Sequence, residues 1–158
     1  MIYLLLKWIH IVSSTILFGT GVGSAFFLCM ANRRKDITAI CFATRTVVIA
    51  DWLFTAPSVV IQLITGMLLV RAAGYSFTDG WILLALLLYF FAGACWLPVV
   101  WMQIKMRDLA EMVRRNETDL PDVYWEMHKC WIALGSLAFP AILIVFYLMV
   151  CKPQIAVF

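Results

Sequence analysis

Six residues stand out chemically from the apolar runs around them: His10, Asp51, Gln62, Thr65, Met67 and Tyr89. A neutral imidazole ligates iron or copper, or donates to a quinone carbonyl. A thioether such as Met67 is a soft second ligand. A carboxyl inside a membrane span is a functional candidate by default, here as a proton relay at Asp51. His10 sits in KWIHIVSSTILFGTGVGSAFF, where a plain anchor needs neither a histidine nor the serines and glycines that follow it.

The spacing arranges these residues into stripes. Thr44, Asp51, Thr55, Ser58, Gln62 and Thr65 are 7, 4, 3, 4 and 3 apart, which at 3.6 residues per turn is one helix face. His10, Ser13, Thr20 and Ser24 share a face in the same way, as do Tyr89, Gly93, Trp96, Val100 and Gln103. Polar stripes on membrane helices turn toward the bundle, because unsatisfied polar groups are costly in hydrocarbon. A plainer role for Asp51 is a hydrogen bond or an ion pair to Arg45, six positions away and on a different face. Gly19 and Gly23 have the GxxxG spacing of close helix packing. Trp8, Trp81, Trp125 and Trp131 fall near span ends and read as interfacial anchors. Trp96 lies deeper.

The two histidines do not form one axial pair. His10 is ~10 Å in from one end of its span at 1.5 Å per residue. His128, in WEMHKCW, is at the opposite end. Across a core of about 30 Å the two are roughly 15–20 Å apart. At the depth of His10 the sequence places Thr65, Met67, Tyr89 and Tyr147, a set that would line a pocket. The five cysteines form no CxxC and their count is odd, so they are neither a disulfide framework nor a zinc site.

The elements that must position these groups follow from composition. Of 158 residues, 65% are hydrophobic and 13% charged, against about 25% charged in soluble domains. Spans of about 20 apolar residues fall near 2–30, 38–70, 81–104 and 125–150, the third carrying a short amphipathic extension. The expected fold is all-α: a polytopic membrane protein, one domain over 1–158, built as an antiparallel up-down four-helix bundle. Arg33, Arg34 and Lys35, and later Lys105, Arg107, Arg114 and Arg115, place the first and third connections in the cytoplasm. Both termini would then face the periplasmic side of a bacterial inner membrane. A net charge of +3 gives no reason to expect a nucleic-acid partner.

KWIHIVSSTILFGTGVGSAFF, WILLALLLYFFAGACWLPVVWMQIKMRDLA and WIALGSLAFPAILIVFYLMVCKP resemble an uncharacterised family of bacterial predicted integral membrane proteins grouped with the CopD-like membrane proteins. That group includes the HemJ-type protoporphyrinogen oxidases, four-helix proteins that bind haem b through an early histidine. The resemblance implies that His10 matches that histidine. The HemJ type also has a lysine soon after a tryptophan at the start of its third helix. Trp81-Ile-Leu-Leu-Ala-Leu has none, so the resemblance supports haem binding more than porphyrinogen oxidation itself.

The leading expectation is a small haem b-binding or redox protein with His10 as axial ligand. Gln62, Thr65 and Tyr89 would orient the propionates, or a bound quinone or porphyrin, and Asp51 would relay protons. The alternative is a non-catalytic membrane module. It would handle copper through His10 and Met67, or act as an accessory subunit or homo-oligomer that uses the glycine face.

Overall fold

The computed structural model describes residues 1–155. Among them it is all-helical, with four helices long and apolar enough to cross a membrane: α1 (Ile2–Arg34), α2 (Ile37–Ala72), α3 (Gly80–Asn116) and α4 (Asp122–Cys151). At 1.5 Å per residue each exceeds the ~30 Å apolar core. The charged extension of α3 is therefore a continuation of the same helix past the membrane.

Local chemistry sets the connections. Lys35 adopts a left-handed φ of 55° and ends α1. The Asp36 side chain then accepts from the Thr38 amide at 2.9 Å and starts α2. A link this short forces α1 and α2 to run antiparallel. Glu117, at φ 53°, ends α3, and Pro121 leads into α4.

The helices pack in chain order, with α1 along both halves of α2, the first half of α2 on α3, and α3 on α4 in the longest seam. One core gathers Leu28, Ile40, Val47, Met106, Tyr124 and Trp131 near the α1–α2 connection. A smaller one holds Trp81, Ile82, Ala85 and Leu148 near the other end. Large apolar side chains such as Phe26, Phe42, Trp52, Leu97 and Trp101 stand outward. An apolar girdle of this extent fits lipid rather than water.

Two features depart from the simple spacing. Asp51–Thr55 is a π turn inside α2. Its cause is Pro57, which has no N–H for the carbonyl of Leu53 and whose ring crowds that carbonyl. The amide of Ala56 reaches back to Asp51 instead, so one extra residue is accommodated in the turn. Beyond it, the second half of α2 stays on α1 and makes few contacts with α3. The expected packing role of the glycine pair is not met within this chain. A Cβ added at Gly19 or Gly23 would find nothing within 4 Å, so no helix of the same chain fills that face.

Candidate functional site

The divergence of α2 from α3 opens a cavity of about 490 Å³ at the end of the bundle where α1 begins and α4 finishes. That volume lies within the ~300–1,000 Å³ range of ligand pockets. Its walls are mostly apolar, from Leu63, Val70, Ile82, Ala85 and Val145, with His10 on α1 and Met67 on α2 among them. Lys7 and Lys152 lie at the edge, Lys152 with Nζ 4.9 Å from the Tyr75 ring centre.

His10 is held by the α2 stripe. Thr65 Oγ1 lies 2.6 Å from the Ile61 carbonyl, which can only accept, so the hydroxyl donates there. The 2.8 Å contact between Thr65 Oγ1 and His10 Nδ1 is then donated by the imidazole. Nδ1 carries the proton, and the Nε2 lone pair of the neutral ring has no partner among the described residues. One nitrogen fixed by an outer hydrogen bond and the other free is how a metal-ligating histidine is set up. Gln62 donates to the His10 carbonyl and to Ser13 Oγ, which locks the two helices together at this level. Gly66 sits against the imidazole, where a Cβ would come 3.4 Å from His10 Cε1.

The residues expected to meet a ligand are brought together, but three of them turn their polar groups to the protein. Thr65 and Gln62 hold His10. Tyr89 donates from its hydroxyl to the Val59 carbonyl at 2.7 Å, spanning the gap between α3 and α2. Met67 lines the cavity beside Gly66. Tyr147, matched to His10 by depth, is 60% exposed on the outer face of α4 and takes no part.

Asp51 lies apart, in the π turn, buried to 5% exposure. Its Oδ1 accepts from Thr55 Oγ1 at 2.9 Å. The ion pair with Arg45 does not form: Arg45 reaches Glu111 at 3.7 Å instead. His128, at the far end, is a third locale. Tyr124 donates to Asn32 Oδ1 at 2.7 Å, and the Asn32 amide nitrogen lies 3.0 Å from His128 Nδ1. The two histidines therefore have separate partners at opposite ends.

A family of predicted integral membrane proteins, DUF2269, has a sequence model that matches residues 4–153. The chain belongs to that family. It is an integral membrane protein, in contact with the lipid bilayer over most of its length. No curated protein and no solved structure matches it.

The described residues of this DUF2269 protein contain no group of three or more His, Cys, Asp or Glu side chains placed to hold a metal ion. A metal at His10 would have to arrive with most of its ligands already attached, as iron does in a porphyrin. The free Nε2, the close fit at Gly66 and the apolar walls suit such a group, and the two lysines at the edge suit its carboxylates. The sequence reading missed Gly66, Lys7 and Lys152. Lys7 was visible as the residue one turn before His10 on the same face. Gly66 and Lys152 had no signal apart from the fold.

Proposed function

We propose that this protein binds haem b in the α1–α2 cavity with His10 Nε2 as axial ligand, and serves electron transfer linked to a quinone or a porphyrin. The observation that carries this reading is the hydrogen bond to Thr65, which leaves Nε2 free at the wall of an apolar cavity. The resemblance to CopD-like and HemJ-type proteins supports it. Haem supplies reversible one-electron chemistry when bound. The chain's own part is to fix the imidazole through Thr65, hold α1 on α2 through Gln62, exclude water with the apolar walls, and meet carboxylates with Lys7 and Lys152. Met67 would stand as a soft second ligand. The charge pattern puts this end of the bundle on the outer side of a bacterial inner membrane.

One observation favours a second reading. Gly19 and Gly23 stand open on α1, a face suited to a helix from another subunit or a second copy. An accessory subunit of a larger complex would use that face. A copper-handling module would have only His10 and Met67 as cavity ligands.

Absorbance spectra of the detergent-purified protein, oxidised and then reduced with dithionite, decide between them. A Soret band with reduced α and β bands, lost in His10→Ala, is the expected result. A wild type that stays colourless after haem is added overturns the haem reading, and metal analysis and subunit composition then test the other two.

A further inference from the structure

The π turn of α2 carries a second polar site that the haem reading does not use. Three buried atoms there lack hydrogen-bond partners: Asp51 Oδ2, Gln103 Oε1 and Trp96 Nε1. All three belong to one cluster, since Thr55, Gln103 and Trp96 are the side chains set around the Asp51 carboxyl. Asp51 and Gln103 are 5% and 4% exposed. Each unpaired atom in such surroundings costs about 1–3 kcal/mol, so the cluster needs a ligand that supplies what is missing.

The missing bonds define that ligand. Two of the atoms are acceptors, a carboxylate oxygen and an amide oxygen, and one is an N–H donor. A water molecule satisfies all three by donating to Asp51 Oδ2 and Gln103 Oε1 and accepting from the Trp96 indole. Three bonds are the usual number for a buried water. A metal cation fits poorly, because the indole N–H points positive charge into the same space.

No formal charge nearby fixes the state of Asp51. On α2 the charged residues are Asp36 and Arg71 near the ends and Arg45, which is turned to Glu111. On α1 they are Lys7, Arg33 and Arg34 at the two ends, with His10 bound to Thr65. On α3 they begin at Lys105, which is exposed, and continue outward from there. The thiol of Cys95 is buried next in sequence to Trp96. The anion is thus supported by Thr55 and the water alone. The neutral acid is supported equally well, since Oδ2–H donates to the water and the water turns to Gln103. Either form leaves the carboxyl oxygens paired.

We propose that Asp51, Gln103, Trp96 and one buried water form a reversible proton-binding site in the middle of the membrane. The inward face of α2 continues from it through Thr55 and Ser58 to Gln62 and the His10 cavity. Uptake adds one proton to Asp51 Oδ2, and release returns it to the water. No other bond changes.

Infrared spectroscopy of the full chain in lipid tests this without reference to haem. A protonated carboxyl has a C=O stretch outside the amide bands. The expected result is such a band that disappears on raising the pH between about 4 and about 10 and is absent in Asp51→Asn. Trp96→Phe removes a donor that favours the anion, so its midpoint should rise by about one pH unit. A band absent at every pH, or one that persists through the whole titration, overturns the proposal. So does an unmoved midpoint in Trp96→Phe. Should Asp51→Asn fail to fold, carboxyl-labelled aspartate in the wild type, whose isotope shift picks out aspartate bands, and the Trp96→Phe midpoint carry the test.

Discussion

Thr65→Val is the substitution that most directly tests how His10 is held. Valine keeps the shape of threonine and removes the only acceptor of the His10 Nδ1–H bond at 2.8 Å. The N–H is then left unpaired in a half-buried setting, at a cost of about 1–3 kcal/mol. The Thr65 bond to Ile61 is also lost, but that carbonyl keeps its helical partner, so the change there is small. The imidazole has two ways to respond. It holds its place at that cost, or it turns to find another partner and takes Nε2 off the cavity wall. Both weaken a ligand bound to Nε2. Loss of the outer partner of a metal-bound histidine typically weakens binding 10–100-fold, about 1.4–2.8 kcal/mol at 1.4 per tenfold. The two figures agree. The assay is a haem titration followed by Soret absorbance in detergent, with Thr65→Ser alongside. Serine keeps the hydroxyl and should restore most of the affinity. Unchanged affinity in Thr65→Val, with His10→Ala still abolishing binding, would refute the tautomer argument.

At the opposite end, Tyr124→Phe removes the donor to Asn32 Oδ1. The buried amide is left half-satisfied, so unfolding in mixed detergent should show a loss of about 1–3 kcal/mol. Arg45→Ala breaks the 3.7 Å pair with Glu111, but the arginine side chain is 67% exposed. The same unfolding experiment should therefore show at most about 1 kcal/mol, falling with added salt.

The four spans were legible because lipid imposes a length and a composition that few other environments do. The α2 stripe was legible for a related reason: buried polar side chains must share a face, and all of Thr44, Asp51, Thr55, Ser58 and Thr65 are buried. Matching depths also placed Thr65 opposite His10, where a hydrogen bond is found. Spacing did not show which side of a helix meets a neighbour. Gly19 and Gly23 fit a packing motif yet face outward, and Tyr147 has the right depth on the wrong face of α4. Nor did it show that Gln62, Thr65 and Tyr89 turn their polar groups to the protein, because that depends on which carbonyls lie within reach. The π turn had one visible sign, Pro57. A proline near the middle of an apolar run warns of a break in the α-helical ladder without saying how it will be resolved.

The π turn also makes the length of α2 matter as much as its residue types. Removing one residue between Asp51 and Thr55 would let the segment close into ordinary α-helix and swing everything after it by about 100°. The span would still cross the membrane and its hydropathy would hardly change. Gln62 and Thr65, however, would leave α1, and His10 would lose both of the side chains that hold it. A relative with the same four helices but one residue fewer in this stretch would keep the fold and lack the site. Counting residues from Asp51 to Thr65 is therefore a sharper test of shared function among similar chains than scoring their overall likeness.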